Sequence, residues 1–138
     1  MSSKVLLIVN DGWGMADLGP GNYLEQANTP FFDDIWSRYP HAANQSSGNA
    51  VGIPEGSQGN SEVGHLHLGA GRVVWQMYEL INREIKDRSF FGNSVLDEAF
   101  DHAKGHTLHL IGLCSDGGIH SHINHLFALL ELAKQKGL

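Results

Sequence analysis

Val5-Leu6-Leu7-Ile8-Val9-Asn10-Asp11-Gly12-Trp13-Gly14 begins with five consecutive apolar residues and ends in a carboxylate set among glycines. A continuous, partly β-branched run of this length predicts a strand buried on both faces that feeds a tight loop. Asp11 then stands at a strand's C-terminal end, the edge of an open α/β sheet where ligands bind. Residues 107–114 read as a second buried strand, and they too empty into an acidic, glycine-rich loop, Ser115-Asp116-Gly117-Gly118. Between the two runs the pattern is helical. Thr29-Pro30 supplies an N-cap and a proline at the first helical position, Phe31, Ile35, Trp36 and Tyr39 follow as an apolar face, and Pro40 closes the segment. Met77, Leu80, Ile81 and Ile85 fall at helical spacing, a further helix is expected over about 94–103, and an amphipathic one from Ile123 to about Lys136 with Gly137 as C-cap. Residues 46–71 are broken by Gly48, Gly52, Gly56, Gly59, Gly64, Gly69 and Gly71, which predicts loop and short helix. The order is α/β. Two strands make a poor sheet, and the chain stops after a helix where another strand is due, so an incomplete domain is expected.

The chain has 138 residues, 41% apolar and 17% charged, too apolar for a disordered segment. Nine basic against fifteen acidic residues give a formal charge of −6, which offers no footprint for nucleic acid or an anionic membrane. One cysteine, Cys114, excludes an internal disulfide framework and fits a reducing cytoplasm. No signal peptide is read near Met1 and no run is long enough to span a bilayer. Seventeen glycines and nine histidines are high counts, and both cluster.

Three places can carry chemistry. Asp11, in a turn that lets backbone approach a ligand, suits a hard metal ion; it equally suits a turn cap. In Gln58-Gly59-Asn60-Ser61-Glu62-Val63-Gly64-His65, Ser61 falls at a helix N-terminus, where N–H groups favour a phosphate. Its hydroxyl is a weak nucleophile until a base or metal activates it, and the plain alternative is a serine N-cap. His65 and His67 flank that segment and could orient it. His120-Ser121-His122-Ile123-Asn124-His125 places three imidazoles in six residues. Helical geometry cannot bring all three to one face, so one functional histidine with two solvated or capping neighbours is expected. The glycine-rich loops lack the spacing of a P-loop or a dinucleotide fingerprint.

Together, Val9-Asn10-Asp11-Gly12-Trp13-Gly14, Ala27-Asn28-Thr29-Pro30, Ala50-Val51-Gly52-Ile53-Pro54, Gly59-Asn60-Ser61-Glu62-Val63-Gly64-His65, Leu68-Gly69-Ala70-Gly71-Arg72 and Ser115-Asp116-Gly117-Gly118-Ile119-His120-Ser121-His122 closely resemble the start of the cofactor-independent phosphoglycerate mutases. The likeness covers nearly all of this chain and well under half of the family's sequence. It implies a metal-dependent isomerase of glycolysis and gluconeogenesis, interconverting 3-phosphoglycerate and 2-phosphoglycerate through a phosphoserine. It also implies an α/β architecture of the alkaline phosphatase superfamily: a phosphatase-like sheet domain, here partial over residues 1–74, and the start of an inserted α/β phosphotransferase domain over 75–138. By the same resemblance Ser61 is the nucleophile, Asp11 and Ser61 belong to the ligands of one of two manganese ions (magnesium or cobalt being alternatives), and His122 binds substrate. The expected partner is a phosphoglycerate, with no nucleic acid or membrane, in a cytoplasmic and monomeric complete enzyme. This chain alone is expected to be inactive, because the other metal ligands and the substrate arginines are not in it. Two departures stand out: Asn10 occupies a position that is usually apolar, and His41-Ala42-Ala43-Asn44-Gln45 is polar where a strand is expected. A related superfamily phosphatase or phosphopentomutase, and a non-catalytic truncated paralogue, are the competing readings.

Overall fold

A computed structural model describes residues 4–138. Its elements are α1 (Tyr23–Gln26), α2 (Pro30–Arg38), α3 (Ser61–Ala70), α4 (Met77–Asp87), α5 (Ser94–His102) and α6 (Ile123–Gln135), with 3-10 turns at Gly48–Val51 and Ser89–Gly92. Residues 1–3, the beginning of the expected first domain, lie outside the described part.

The helices form where periodicity and punctuation call for them. Pro30 starts α2 with Thr29 as its N-cap, and the Thr29 hydroxyl donates to the Asp33 carboxylate at 3.0 Å and accepts from no backbone N–H. Asn93 caps α5 through Oδ1, which accepts from the N–H groups of Val95 and Leu96. α6 ends at Gln135 with Lys136 as its C-cap, and Gly137 follows at φ +76°, the left-handed position that a side chain resists. α3 runs through Gly64 and Gly69 without a break.

The strands expected at 5–9 and 107–114 are not formed, and no strand occurs among the described residues. Val5 is 91% exposed, Leu6 83% and Ile111 98%. A strand exists only through the ladder it shares with a neighbour, and neither segment has one here; the Leu113 carbonyl instead accepts from the Ser121 hydroxyl at 2.6 Å. Residues 41–45 likewise form no strand and are exposed. The described residues are thus a set of helices joined by segments without regular secondary structure, and the sheet of the α/β reading is not present among them.

Two small buried groups hold the helices. Val51, Ile53 and Val63 form one, packing the first 3-10 turn under α3. Phe100 and Leu132, 2% and 1% exposed, are the deepest side chains of the other part, on α5 and α6, with Ala103 and Ala128 also buried. Each large side chain fully buried in this way contributes roughly 1.5–3 kcal/mol. Lys136 pairs with Asp97 at 2.8 Å and Arg88 with Glu131 at 2.8 Å, tying α6 to α5 and to the end of α4. These exposed pairs add little.

The connection from α3 to α4 is stitched on two sides. Nδ1 of the His67 ring lies 2.6 Å from the Val63 carbonyl, and Nε2 accepts from the Val74 N–H at 2.9 Å. The Gln76 N–H donates to the Gly52 carbonyl at 2.8 Å. A Cβ on Gly52 would lie 2.3 Å from the Val74 oxygen, so only glycine admits this approach.

Candidate functional site

Asp11 sits in the turn that follows residues 5–9. Gly12 takes φ +76°, and the Trp13 N–H closes the turn on the Asn10 carbonyl at 3.3 Å. Trp13 packs on Phe32 of α2 at 4.7 Å between ring centroids, Phe32 on Trp36 at 5.7 Å, and Trp36 on His41 at 3.9 Å. This run of rings anchors the loop to α2 and leaves the Asp11 carboxylate exposed.

Ser61 is the first residue of α3. The capping role falls to Asn60, whose Oδ1 accepts from the Val63 N–H at 2.9 Å. The serine-cap alternative is thereby removed, because Asn60 satisfies the helix end and the Ser61 hydroxyl is free for other use. That hydroxyl donates to Asp11 Oδ2 at 2.6 Å, across fifty residues of sequence. The N–H groups of Ser61 and Glu62 lie in the helix's first turn, where no intrahelical acceptor exists for them. His65, one turn along, lies 2.8 Å from the Ser61 carbonyl and 3.2 Å from its Oγ through Nδ1. The serine-to-histidine spacing of four residues on a helix was the signal for that contact.

Asp11 Oδ2 and Ser61 Oγ are hard oxygen donors of the kind a small divalent cation takes. They are part of a coordination shell only: among the described residues, no group of three or more His, Cys, Asp or Glu side chains is placed to hold an ion.

His122 lies elsewhere, as the N-cap of α6. Its Nδ1 accepts from the Asn124 N–H at 3.1 Å, and its neighbours are Tyr78 and His125, with ring centroids 6.0 and 6.2 Å away. None of these partners is Asp11 or Ser61. A cavity of about 280 Å³ opens beside it, lined by Tyr78, Asn82, Ile85, Lys86, His122 and Asn124. His125 is not the solvated neighbour expected of it, since its Nε2 lies 2.8 Å from Asn82 Oδ1 on α4. Partial burial, and then the neighbouring His122, hold the His125 ring below the usual histidine pKa. Asn82 carried no signal in the sequence, because an isolated asparagine on a helix is ordinarily solvated.

The chain is similar to known proteins over its whole length. Residues 81–138 match the family model described as the BPG-independent PGAM N-terminus. A 2,3-bisphosphoglycerate-independent phosphoglycerate mutase of Salinibacter ruber is 52% identical over 99% of this chain, which spans 27% of that protein. Proteins of the same description from Clostridium perfringens strain SM101 and from Idiomarina loihiensis are 52% and 47% identical over 100% and 96% of the chain, covering 28% and 26% of their own length. The chain thus spans about a quarter of the curated relatives it matches.

Proposed function

From a chain related over its whole length to the N-terminal part of 2,3-bisphosphoglycerate-independent phosphoglycerate mutases, we propose the N-terminal portion of an isomerase that interconverts 3-phosphoglycerate and 2-phosphoglycerate through a phosphoserine at Ser61. The observation that carries this reading is the 2.6 Å hydrogen bond from the Ser61 hydroxyl to Asp11 at the mouth of α3. It is the arrangement a nucleophile needs: an acceptor for its proton and a helix end that stabilises the phosphorylated state.

The Ser61 oxygen attacks the phosphorus of the donor, its proton passes toward Asp11, and the bond from phosphorus to the glycerate oxygen breaks. That proton passes on from Asp11 to the departing glycerate oxygen. Glycerate then turns, its other hydroxyl gives its proton to Asp11 as its oxygen attacks the phosphoserine, the bond from phosphorus to Ser61 Oγ breaks, and Oγ takes up that proton. Between the transfers the first-turn N–H groups of α3 face the phosphoserine dianion. His122 contributes an N–H to the bound acid, with its Nδ1 already committed to Asn124. A divalent cation, manganese first, magnesium or cobalt otherwise, would lower the seryl pKa and screen phosphate charge, with Asp11 and Ser61 as two of its ligands.

In this reading residues 1–74 belong to a phosphatase-like domain whose sheet is completed by other parts of the protein, and 75–138 open an inserted phosphotransferase domain. The complete enzyme is monomeric and cytoplasmic. Among the described residues no helix is long and apolar enough to cross a membrane.

The test uses the complete enzyme with manganese and 3-phosphoglycerate, quenched in acid and digested. The expected result is 2-phosphoglycerate as product and a phosphopeptide bearing Ser61, with Ser61→Ala losing both and kcat falling by at least about 10³-fold. Turnover by Ser61→Ala at the wild-type rate would refute the nucleophile, and turnover by the 138-residue chain alone would refute its being part of a larger site.

A further inference from the structure

The network between α4 and α6 has a direction. Asn82 Nδ2 donates to the Glu79 carboxylate at 3.1 Å, and a carboxylate only accepts, so the Asn82 amide is oriented with Oδ1 toward α6. Oδ1 accepts in turn, and the atom 2.8 Å from it is His125 Nε2. His125 must therefore carry its proton on Nε2. Nδ1 of His122 accepts from a backbone N–H, so the neutral His122 ring also carries its proton on Nε2. Tyr78 and the two imidazoles form a triangle of rings, with Tyr78 5.2 Å from His125 and 6.0 Å from His122 and the two histidines 6.2 Å apart, and the Tyr78 hydroxyl lies 2.8 Å from where a Gly118 Cβ would stand. Gly118, at φ +69°, belongs to the acidic loop that leads into His122.

We infer that Asn82 and His125 are a positioning pair for His122: Asn82 fixes one tautomer of His125, and His125, together with Tyr78, packs beside and fixes the ring that caps α6 at the edge of the cavity. The arrangement explains why a histidine cluster that cannot share one ligand is nonetheless packed together. Only His122 and Lys86 bring a donor side chain of basic type to that cavity, while His125 is turned onto α4. The groups facing His125 are Tyr78 and, through Asn82, Glu79 from α4, and His122 from its own side. That the cavity takes a phosphoglycerate rests on the function proposed above; the positioning itself does not.

The experiment separates the two. In the protein carrying this chain, labelled with ¹⁵N-histidine, ring nitrogen shifts and long-range ¹H–¹⁵N correlations report each tautomer. His125 is expected as the Nε2–H form, and Asn82→Leu is expected to give a tautomer mixture together with shifted His122 ring resonances. A wild-type His125 in the Nδ1–H form, or His122 resonances unmoved by Asn82→Leu, overturns the inference even if the enzyme is a mutase. In the complete enzyme, His125→Leu is expected to raise KM for phosphoglycerate about ten-fold with kcat nearly unchanged. His125→Gln keeps an N–H donor for Asn82 and is expected to return KM to within about three-fold of wild type. A kcat loss with KM unchanged, or no rescue by glutamine, also overturns it; absence of wild-type turnover would sink the functional reading and leave the spectroscopic result standing.

Discussion

Ser61 is available for chemistry because its neighbour does the capping. In a Gly-Asn-Ser-Glu sequence either the asparagine or the serine can start the helix, and the choice decides whether the seryl hydroxyl is consumed. Asn60 wins, with Oδ1 on the Val63 N–H, and the serine turns to Asp11. Removing the cap should therefore do more than weaken the helix. Asn60→Ala is expected to cost about 1 kcal/mol in stability and to draw Ser61 toward the vacated helix end, away from Asp11. Denaturant unfolding and an ¹H–¹⁵N spectrum measure the two effects; an unchanged midpoint with Ser61 unperturbed would show that Asn60 is not the working cap. The nucleophile candidate itself was legible in the sequence, because a serine near a helix start is a local signal. Its pairing with a carboxylate fifty residues away is a tertiary fact that only the likeness to a known family anticipated.

At the scale of elements, local rules served helices and failed strands. Helix bonds close within four residues, so Pro30, Asn93 and Gly137 mark real boundaries of α2, α5 and α6. A buried strand is written in apolar composition, but the partner that makes it a strand is written elsewhere in the chain. The runs at 5–9 and 107–114 carry the composition and lack the partner. The tight packing between loops was equally invisible, since one glycine among seventeen gives no sign of its contacts. Gly52 is a case in point. It combines φ +68°, an acceptor role toward the Gln76 N–H, and the close approach to Val74. Strain at a left-handed position costs of order 1–3 kcal/mol for a non-glycine residue, and the backbone clash adds to it. Gly52→Ala is expected to destabilise by about 3 kcal/mol or more, beyond the usual range for a surface loop substitution. Gly56→Ala is the control: φ is +79° there too, but nothing lies within 4 Å of its Cβ, so it should lose only the conformational part. Equal losses in the two variants, measured by urea unfolding, would remove the packing argument.

For the molecule as a whole, the question is what covers the exposed apolar segments. Residues 5–9 and 107–114 present Val5, Leu6, Leu7, Ile8, Ile111 and Leu113 to water. Such runs with unpaired backbone on both sides are templates for strand addition and a route to aggregation. The buried groups elsewhere are few, and the chain spans only 27% of a relative such as the Salinibacter ruber protein. The function proposed above carries an expectation for both observations: in the complete protein these segments pair as strands with neighbours from the remaining sequence, and Asp11, at the end of the first, gains its full surroundings when that sheet forms. Hydrogen exchange tests this directly, because protection follows hydrogen bonding rather than hydrophobicity. In the 138-residue chain the amides of 5–9 and 107–114 are expected to exchange at the rate of an unstructured peptide, while those of α4 and α6 are slower. In the complete enzyme the same two segments are expected to be slowed by about 100-fold or more, with little change in α4 and α6. Fast exchange of both segments in the complete enzyme would mean that they are not strands in either form, and the α/β architecture would fail with them.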